Sequence, residues 1–239
     1  MYNLDFDGAH RSFEQWQRQH PEDPLGPVSD AAAYLFGEFD RLHILQSQFF
    51  VDDNAFRGMN KPVADPAVRR RFENDLEKGR KLSDVILHRS PQDKDATFAA
   101  VLRMGLRADY LSLIEDRNLQ ALSEMKSGRM LAEKLLSGDP GYYDAYLAVG
   151  VENYMLSLKS APARWLLRLG GAQTSKEQGI QKMKLVAQNG HYLQPFARLL
   201  LAVQNLRDKN LPVAKELLSG LARDFPGNRL YAHELAKLR

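Results

Sequence analysis

The sequence predicts an all-α fold in which helix pairs stack one on another as a solenoid. The first indication is a recurring spacing. A small residue is followed at four and seven by residues of the same helical stripe, and at twelve by proline: Ala9, Phe13, Trp16, Pro21; Gly79, Ser83, Ile86, Pro91; Gly128, Ala132, Leu135, Pro140; Ala214, Leu218, Leu221, Pro226. A fifth, partial copy reads Gly179, Met183, Val186, with Asn189-Gly190 replacing the proline exit. The small residue lets another helix approach, and proline ends the helix because it has no amide hydrogen and restricts the residue before it. The second indication lies after three of these stops, where an apolar residue directly precedes glycine: Phe36-Gly37, Met104-Gly105 and Val149-Gly150. Glycine inside a helix costs up to ~1 kcal/mol against alanine, so its recurrence predicts close helix contact at each place. The third is the lack of any convincing period-two alternation of β-branched residues, so strands are not expected.

The elements follow in order. Helix 4–20 carries the stripe Phe6, Phe13, Trp16 and stops at "HPEDPLGP" (20–27). Helix 29–50 leads into an inserted loop, 51–65. Helix 66–89 stops at "SPQD" (90–93), and helices 94–116 and 119–138 follow, the second ending at "SGDPG" (137–141). Helix 141–159 and a short helix 162–169 precede "GGAQTS" (170–175). Helix 175–189 ends at Asn189-Gly190, helix 193–208 at "DKN" (208–210), helix 211–224 at "FPGN" (225–228), and helix 228–238 closes the series. One domain over 1–239 is expected. Helix 4–20 matches the second helix of a pair without a first, so the first repeat reads as truncated, with upstream residues removed and, in one reading, an export signal with them. Its stripe would then be half covered; the alternative is that helix 29–50 alone covers it. Helix 228–238 reads as a terminal cap.

The stretches "DGAHRSFEQWQRQHPEDP" and "VAKELLSGLARDFPGN" resemble the second helix and exit of the tetratricopeptide repeat (TPR). The resemblance covers most of the chain. It departs from the family in its irregular spacing, the prolines standing 70, 49 and 86 residues apart, and in lacking the expected tryptophan and tyrosine at most first-helix positions. "LSLKSAPARWLLRLGGAQTSKEQGIQKM" (156–183) is similar to a segment of the eukaryotic tetratricopeptide proteins of inclusion-body clearance and of uncharacterised bacterial tetratricopeptide proteins. The resemblance implies a right-handed α-α superhelix with irregular, elongated repeats, and no enzyme activity.

Composition excludes several classes. A net charge of +3 from 33 basic and 30 acidic side chains is too weak a bias for nucleic acid or an anionic membrane. Arg69, Arg70 and Arg71 read as a solvated helix face. With no cysteine there is no disulfide, thiolate site or cysteine nucleophile. No apolar run reaches the ~20 residues of a membrane span. A soluble protein is expected, cytoplasmic or, if an export signal has been removed, in the periplasm or cell envelope. His233-Glu234 lacks the second histidine of a zinc helix, since position 237 is lysine. The six histidines are scattered with no pair at i, i+4. Asp52, Asp53 and Asn54 lack the ligand alternation of a calcium loop, and "GGAQTSK" (170–176) lacks the strand and motif of a phosphate loop. No acid–base pair can be placed by spacing. No cofactor, metal or catalysis is therefore expected.

A protein or peptide partner is the expected ligand, held in the concave groove of the superhelix. Asp109, Tyr110, Tyr143, Tyr154 and Arg207 are the groove candidates, tyrosine bringing area and a hydrogen-bonding tip; Tyr146 reads as core. The family's carboxylate-clamp positions match Leu102, Leu106, Leu147, Val151, Leu199 and Val203, all apolar, so that clamp is not carried over. Apolar groove positions suit either a hydrophobic peptide or a tightly curled solenoid that fills its own groove. The rival functions are an oligomerisation module pairing through the N-terminal helix, tested by Trp16→Glu, and a small-ligand-binding or enzymatic helical domain.

Overall fold

The computed structural model describes residues 1–46, 63–158 and 174–238. Among them are ten α-helices and no strand: α1 (Phe6–Gln19), α2 (Leu25–Arg41), α3 (Pro66–Arg89), α4 (Lys94–Leu113), α5 (Asn118–Gly138), α6 (Tyr146–Ser157), α7 (Lys176–Asn189), α8 (Gln194–Arg207), α9 (Leu211–Asp224) and α10 (Arg229–Lys237). A 3-10 turn, Tyr143–Ala145, leads into α6. Five starts carry side-chain caps that satisfy orphan amides: Asp5 on Gly8, Asp65 on Ala67 and Val68, Asp93 on Ala96, Ser175 on Gln178 and Asn228 on Leu230. Most of loop 51–65, with Asp52, Asp53 and Asn54, and the predicted helix 162–169 lie outside the described residues, as does most of 170–175.

The second helix differs from its expected bounds of 29–50. It starts at Leu25 because Pro27 falls in its first turn, where no amide hydrogen is needed. It ends at Arg41 in a left-handed turn without glycine. His43 has φ 58°, its amide donates to the Asp40 carbonyl at 3.1 Å, and the Ile44 amide donates to that of Phe39 at 2.8 Å. This folds Ile44 back into the core beside Leu35 and Phe39, and the burial of that side chain offsets the cost of the left-handed histidine.

Each described helix packs on the next in chain order, and α2–α4 and α4–α6 also touch. The core accordingly falls into a series of clusters. Leu35, Phe39, Phe72 and Tyr110 join α2, α3 and α4; Phe98, Val101, Ala132 and Val149 join α4, α5 and α6; Leu147, Tyr154, Met183 and Leu201 join α6, α7 and α8; Ala202, Leu218, Leu221 and Tyr231 join α8, α9 and α10. The small head of every template copy, Ala9, Gly79, Gly128, Gly179 and Ala214, is buried. Trp16 is different. It is 45 % exposed, with its indole Nε1 donating to Asp23 at 2.6 Å, and Phe6 and Phe13 are half-buried, because α1 packs chiefly on α2.

The glycines of the first helices do not share one role. Gly150 meets the Gly179 carbonyl and the Met183 amide across the α6–α7 crossing, at 3.0 and 3.1 Å from where a Cβ would stand. Gly105 has nothing within 4 Å of that position, and Gly37 faces only the Phe6 ring at ordinary contact distance. Close approach, expected at all three, holds at Gly150 alone.

The first and last segments of the chain meet. The Tyr2 hydroxyl donates to the Tyr192 carbonyl at 3.0 Å, Asn228 donates to the Tyr2 carbonyl at 2.9 Å, and the Gly227 amide donates to Asn3 at 3.0 Å. Tyr2 also packs on Phe225, with ring centroids 5.3 Å apart. Arg229 on α10 holds both oxygens of Asp40 at the end of α2, and Phe36 of α2 meets Phe196 of α8 edge-on at 5.6 Å. The helical array thus curls until α2 touches α8 and α10.

Candidate functional site

Three helices contribute polar stripes to one solvent-open cleft of about 590 Å³. From α1 come Glu14, Gln17 and Arg18, one helical face with His10 a turn earlier; from α2, Asp30 and Tyr34 at i, i+4; from α3, Arg71, Asn74, Asp75 and Lys78. The stripes face one another because the small heads Ala9 and Gly79 and the short residues around Asp30 bring the three helices close. A Cβ on Gly79 would stand 2.5 Å from Val28.

The cleft floor is Asp30, 4 % exposed. Its Oδ1 lies 2.5 Å from His10 Nδ1, and Gln17 Nε2 donates to its Oδ2 at 3.4 Å. Lys78 Nζ donates to Gln17 Oε1 at 2.7 Å, extending the chain His10–Asp30–Gln17–Lys78 across all three helices. The His10 ring lies on Tyr34 with centroids 4.0 Å apart, and the Arg71 guanidinium sits 5.9 Å over the same tyrosine. Burial raises the Asp30 carboxyl above its ordinary value against the lowering effect of His10. Asp75 is pushed up to about 7, first by burial and then by the charge of Asp30, with Lys78 and His10 opposing. Chemically, the cleft offers carboxylate acceptors, an aromatic face and fixed cations.

Spacing along the chain did not reveal this constellation, since its members come from residues 10–18, 30–34 and 71–78. One signal was present. Asp30 interrupts the apolar run "PVSDAAAYLF", and a carboxylate on a buried helix face needs a partner from elsewhere. Arg71 is exposed, as expected of a solvated face, and lines the open cleft.

A second cleft, of about 470 Å³, is lined by the helix-exit loops, with His20, Glu22, Asp23, Asp93 and Asp95. Its aspartates already serve the fold. Asp23 accepts from Trp16 and the Leu25 amide, Asp93 caps α4, and Asp95 accepts from the Tyr142 hydroxyl at 2.9 Å.

The predicted groove residues are not assembled into one surface. Tyr110 is 5 % exposed and stacks on Phe72 at 5.0 Å, inside the α2–α3–α4 core. Tyr154 is buried in the separate α6–α7–α8 core. Both give their rings to packing because the inward stripe of a helix that touches two neighbours has no solvent face. Tyr143 stands exposed on the 3-10 turn, and Arg207 lies half-buried in the last turn of α8. Tyr146 is partly buried against the α6–α7–α8 core, as expected of a core position. Asp109 is half-buried on α4, with no hydrogen bond or ion pair among the described residues, and burial alone raises its carboxyl to about 7. The clamp-equivalent positions Leu102, Leu106, Leu147, Val151 and Leu199 pack into the core clusters.

Among the described residues no group of three His, Cys, Asp or Glu side chains is arranged to hold a metal ion, and no helix is long and apolar enough to cross a membrane. In comparisons with protein-family models, curated proteins and solved structures, none matches the chain.

Proposed function

We propose that the chain is a non-catalytic scaffold for protein–protein interaction, built on the tetratricopeptide pattern as a right-handed stack of irregular helix pairs. Support for the repeat comes from the serial core clusters and the buried small head of every template copy. The recognition surface in this reading is the α1–α3 cleft. The observation that carries it is the contrast in exposure: the apolar first-helix positions are packed into cores, whereas three polar stripes converge on a cleft open to solvent. A rigid helical frame holds such side chains in place before the partner arrives, which lowers the entropy lost on binding.

The test is affinity capture with the intact chain, followed by mass identification, in parallel with Asn74→Arg and Tyr143→Ala variants of unchanged circular dichroism. The expected result is a species captured by the native chain and by Tyr143→Ala but lost with Asn74→Arg. Equal capture by all three, or none by the native chain, would remove the cleft from the proposal.

A second reading, self-association through α1, is favoured by one observation, the half-exposed Trp16. Light scattering on the native chain and on Trp16→Glu tests it: a dimer that dissociates in the variant supports it, and a monomer in both eliminates it.

A further inference from the structure

The segment ahead of α1 and the α8–α10 end of the array are each held together without the other. Asp5 caps α1 by accepting from the Gly8 amide at 2.8 Å, so the helix start does not depend on residues 1–4. At the far end, Asp144 accepts from the Tyr192 and Leu193 amides and fixes the turn into α8. Asn228, 6 % exposed, caps α10 through its Oδ1, which accepts from the Leu230 amide at 3.0 Å. That bond leaves its Nδ2 group for the Tyr2 carbonyl. Arg229 on Asp40 and Phe36 on Phe196 hold α2 against this end independently of the segment. Between the segment and α1 stands Leu4, whose φ of 59° is a left-handed conformation that a bulky non-glycine residue adopts only under constraint. Release of Tyr2 and Asn3 would let it relax.

Tyr2 and Asn3 thus sit on a preformed end of the array as a peptide ligand would. We infer that the α8–α10 end carries a recognition site for a tyrosine-bearing segment of a partner protein, and that the chain's own Tyr2–Asn3 closes it as an exchangeable latch. The site shares no residue with the α1–α3 cleft. The Phe225 ring lies 5.3 Å from the Tyr2 ring, centroid to centroid, and the Tyr192 carbonyl accepts from the hydroxyl at 3.0 Å. Together they select an aromatic side chain with a donor at its tip. Asn228 engages the main chain, donating to the Tyr2 carbonyl at 2.9 Å, and the Gly227 amide donates to the Oδ1 of the next residue, Asn3, at 3.0 Å. A Cβ on Gly227 would stand 3.2 Å from that Oδ1, so the missing side chain is what admits the segment. A partner segment making the same contacts without a left-handed leucine is free of that strain. A second copy of this chain gains no contact by exchange, because it vacates one such site to fill another.

The probe is a pentapeptide with the sequence of residues 1–5, blocked at both ends, titrated into the isotope-labelled native and Tyr2→Ala chains and followed by amide chemical shifts. Melting curves of both chains are recorded first. The expected result is saturable shifts at residues 190–196 and 225–231 of the Tyr2→Ala chain, with binding to the native chain weaker by about tenfold or more because its own latch competes. A pentapeptide with alanine at every position except the tyrosine and asparagine should bind the Tyr2→Ala chain equally, as a foreign segment would. The Tyr2→Phe pentapeptide should bind it about fivefold more weakly, having no hydroxyl for Tyr192. No shifts at those residues, equal affinity for both chains, failure of the alanine-substituted peptide, or undiminished binding by the Tyr2→Phe peptide would each overturn the inference. Loss of cooperative melting in the Tyr2→Ala chain would make the segment part of the core and overturn it as well. Light scattering separates the remaining occupant: a native chain that is dimeric where Tyr2→Ala is monomeric would assign the site to a second copy and overturn the partner segment.

Discussion

Two glycine-to-alanine substitutions inside helices should move stability in opposite directions. In Gly179→Ala the new Cβ would stand 2.7 Å from the Tyr154 amide nitrogen, 2.8 Å from the Gly150 carbonyl oxygen and 3.1 Å from the Tyr154 Cα. These are backbone atoms of α6 and cannot rotate away, so α6 and α7 must separate. Their cluster of Leu147, Tyr154, Met183 and Val186 then loses contact. Alanine returns about 1 kcal/mol of helix propensity, while overpacking of this kind costs about 3 kcal/mol or more. The net expectation is a loss of about 2 kcal/mol, or a fall in melting temperature of roughly 4–8 °C for a chain of this size. In Gly105→Ala the new Cβ meets nothing within 4 Å on an exposed helix surface. Only the propensity term remains, giving a gain of about 0.8–1 kcal/mol and a rise of roughly 2–4 °C. Thermal and urea melts of both variants, at fixed pH and concentration, make the comparison. A Gly179→Ala chain as stable as the native one, or a destabilised Gly105→Ala chain, would refute the assignment of the crossing to Gly150 and Gly179.

Arg129→Met should cost about 3–5 kcal/mol, because Glu152, buried 2.9 Å from the Arg129 guanidinium, loses that cation; a melt of the Arg129→Met, Glu152→Met double variant should recover more than half of it. Tyr2→Ala should raise hydrogen exchange in residues 225–238 while leaving α4–α6 protected, since Tyr2 ties the first segment to Tyr192, Phe225 and Asn228; unchanged exchange in α10 would count against the end-to-end clasp. Asp109→Asn should stabilise the chain in a pH-dependent way. With the folded carboxyl near 7 and an ordinary value of 3.8, the native state binds more protons than the unfolded chain between those limits, so this group's contribution falls as pH rises from about 4 to 7 and is level above. The gain from asparagine should therefore be absent near pH 3.5 and reach about 1–2 kcal/mol at pH 8 after screening; a gain that does not change with pH would refute the cause assigned.

Local signals made the helices legible. Stops at Pro21, Pro91, Pro140 and Pro226 each follow a helix end, and helix 66–89 was bounded correctly because Asp65-Pro66 caps its start. The end of α2 was not legible, since a left-handed histidine carries no glycine to announce it and is held by the burial of Ile44. The roles of Gly105 and Gly150 were indistinguishable for a related reason. Both sit inside amphipathic runs after an apolar residue, and only the path of a neighbouring helix tells a crossing from open surface. The groove candidates failed to assemble because helical periodicity identifies a face without saying how many neighbours cover it. Tyr110 and Tyr154 lie on faces covered from two sides.

The amino-acid sequence by itself determined the helical class, most helix boundaries among the described residues and the buried small head of each template copy. Each of these depends on interactions within about a dozen residues: capping, proline exclusion and the 3.6-residue turn. Only the tertiary structure decided that the array curls until Tyr2 reaches Asn228, and that Gln17, Asp30 and Asp75 face a common cleft. Those outcomes depend on crossing angles summed over successive helix pairs, and a small rotation at each pair, set by side-chain interlock between partners distant in the chain, decides where the ends arrive.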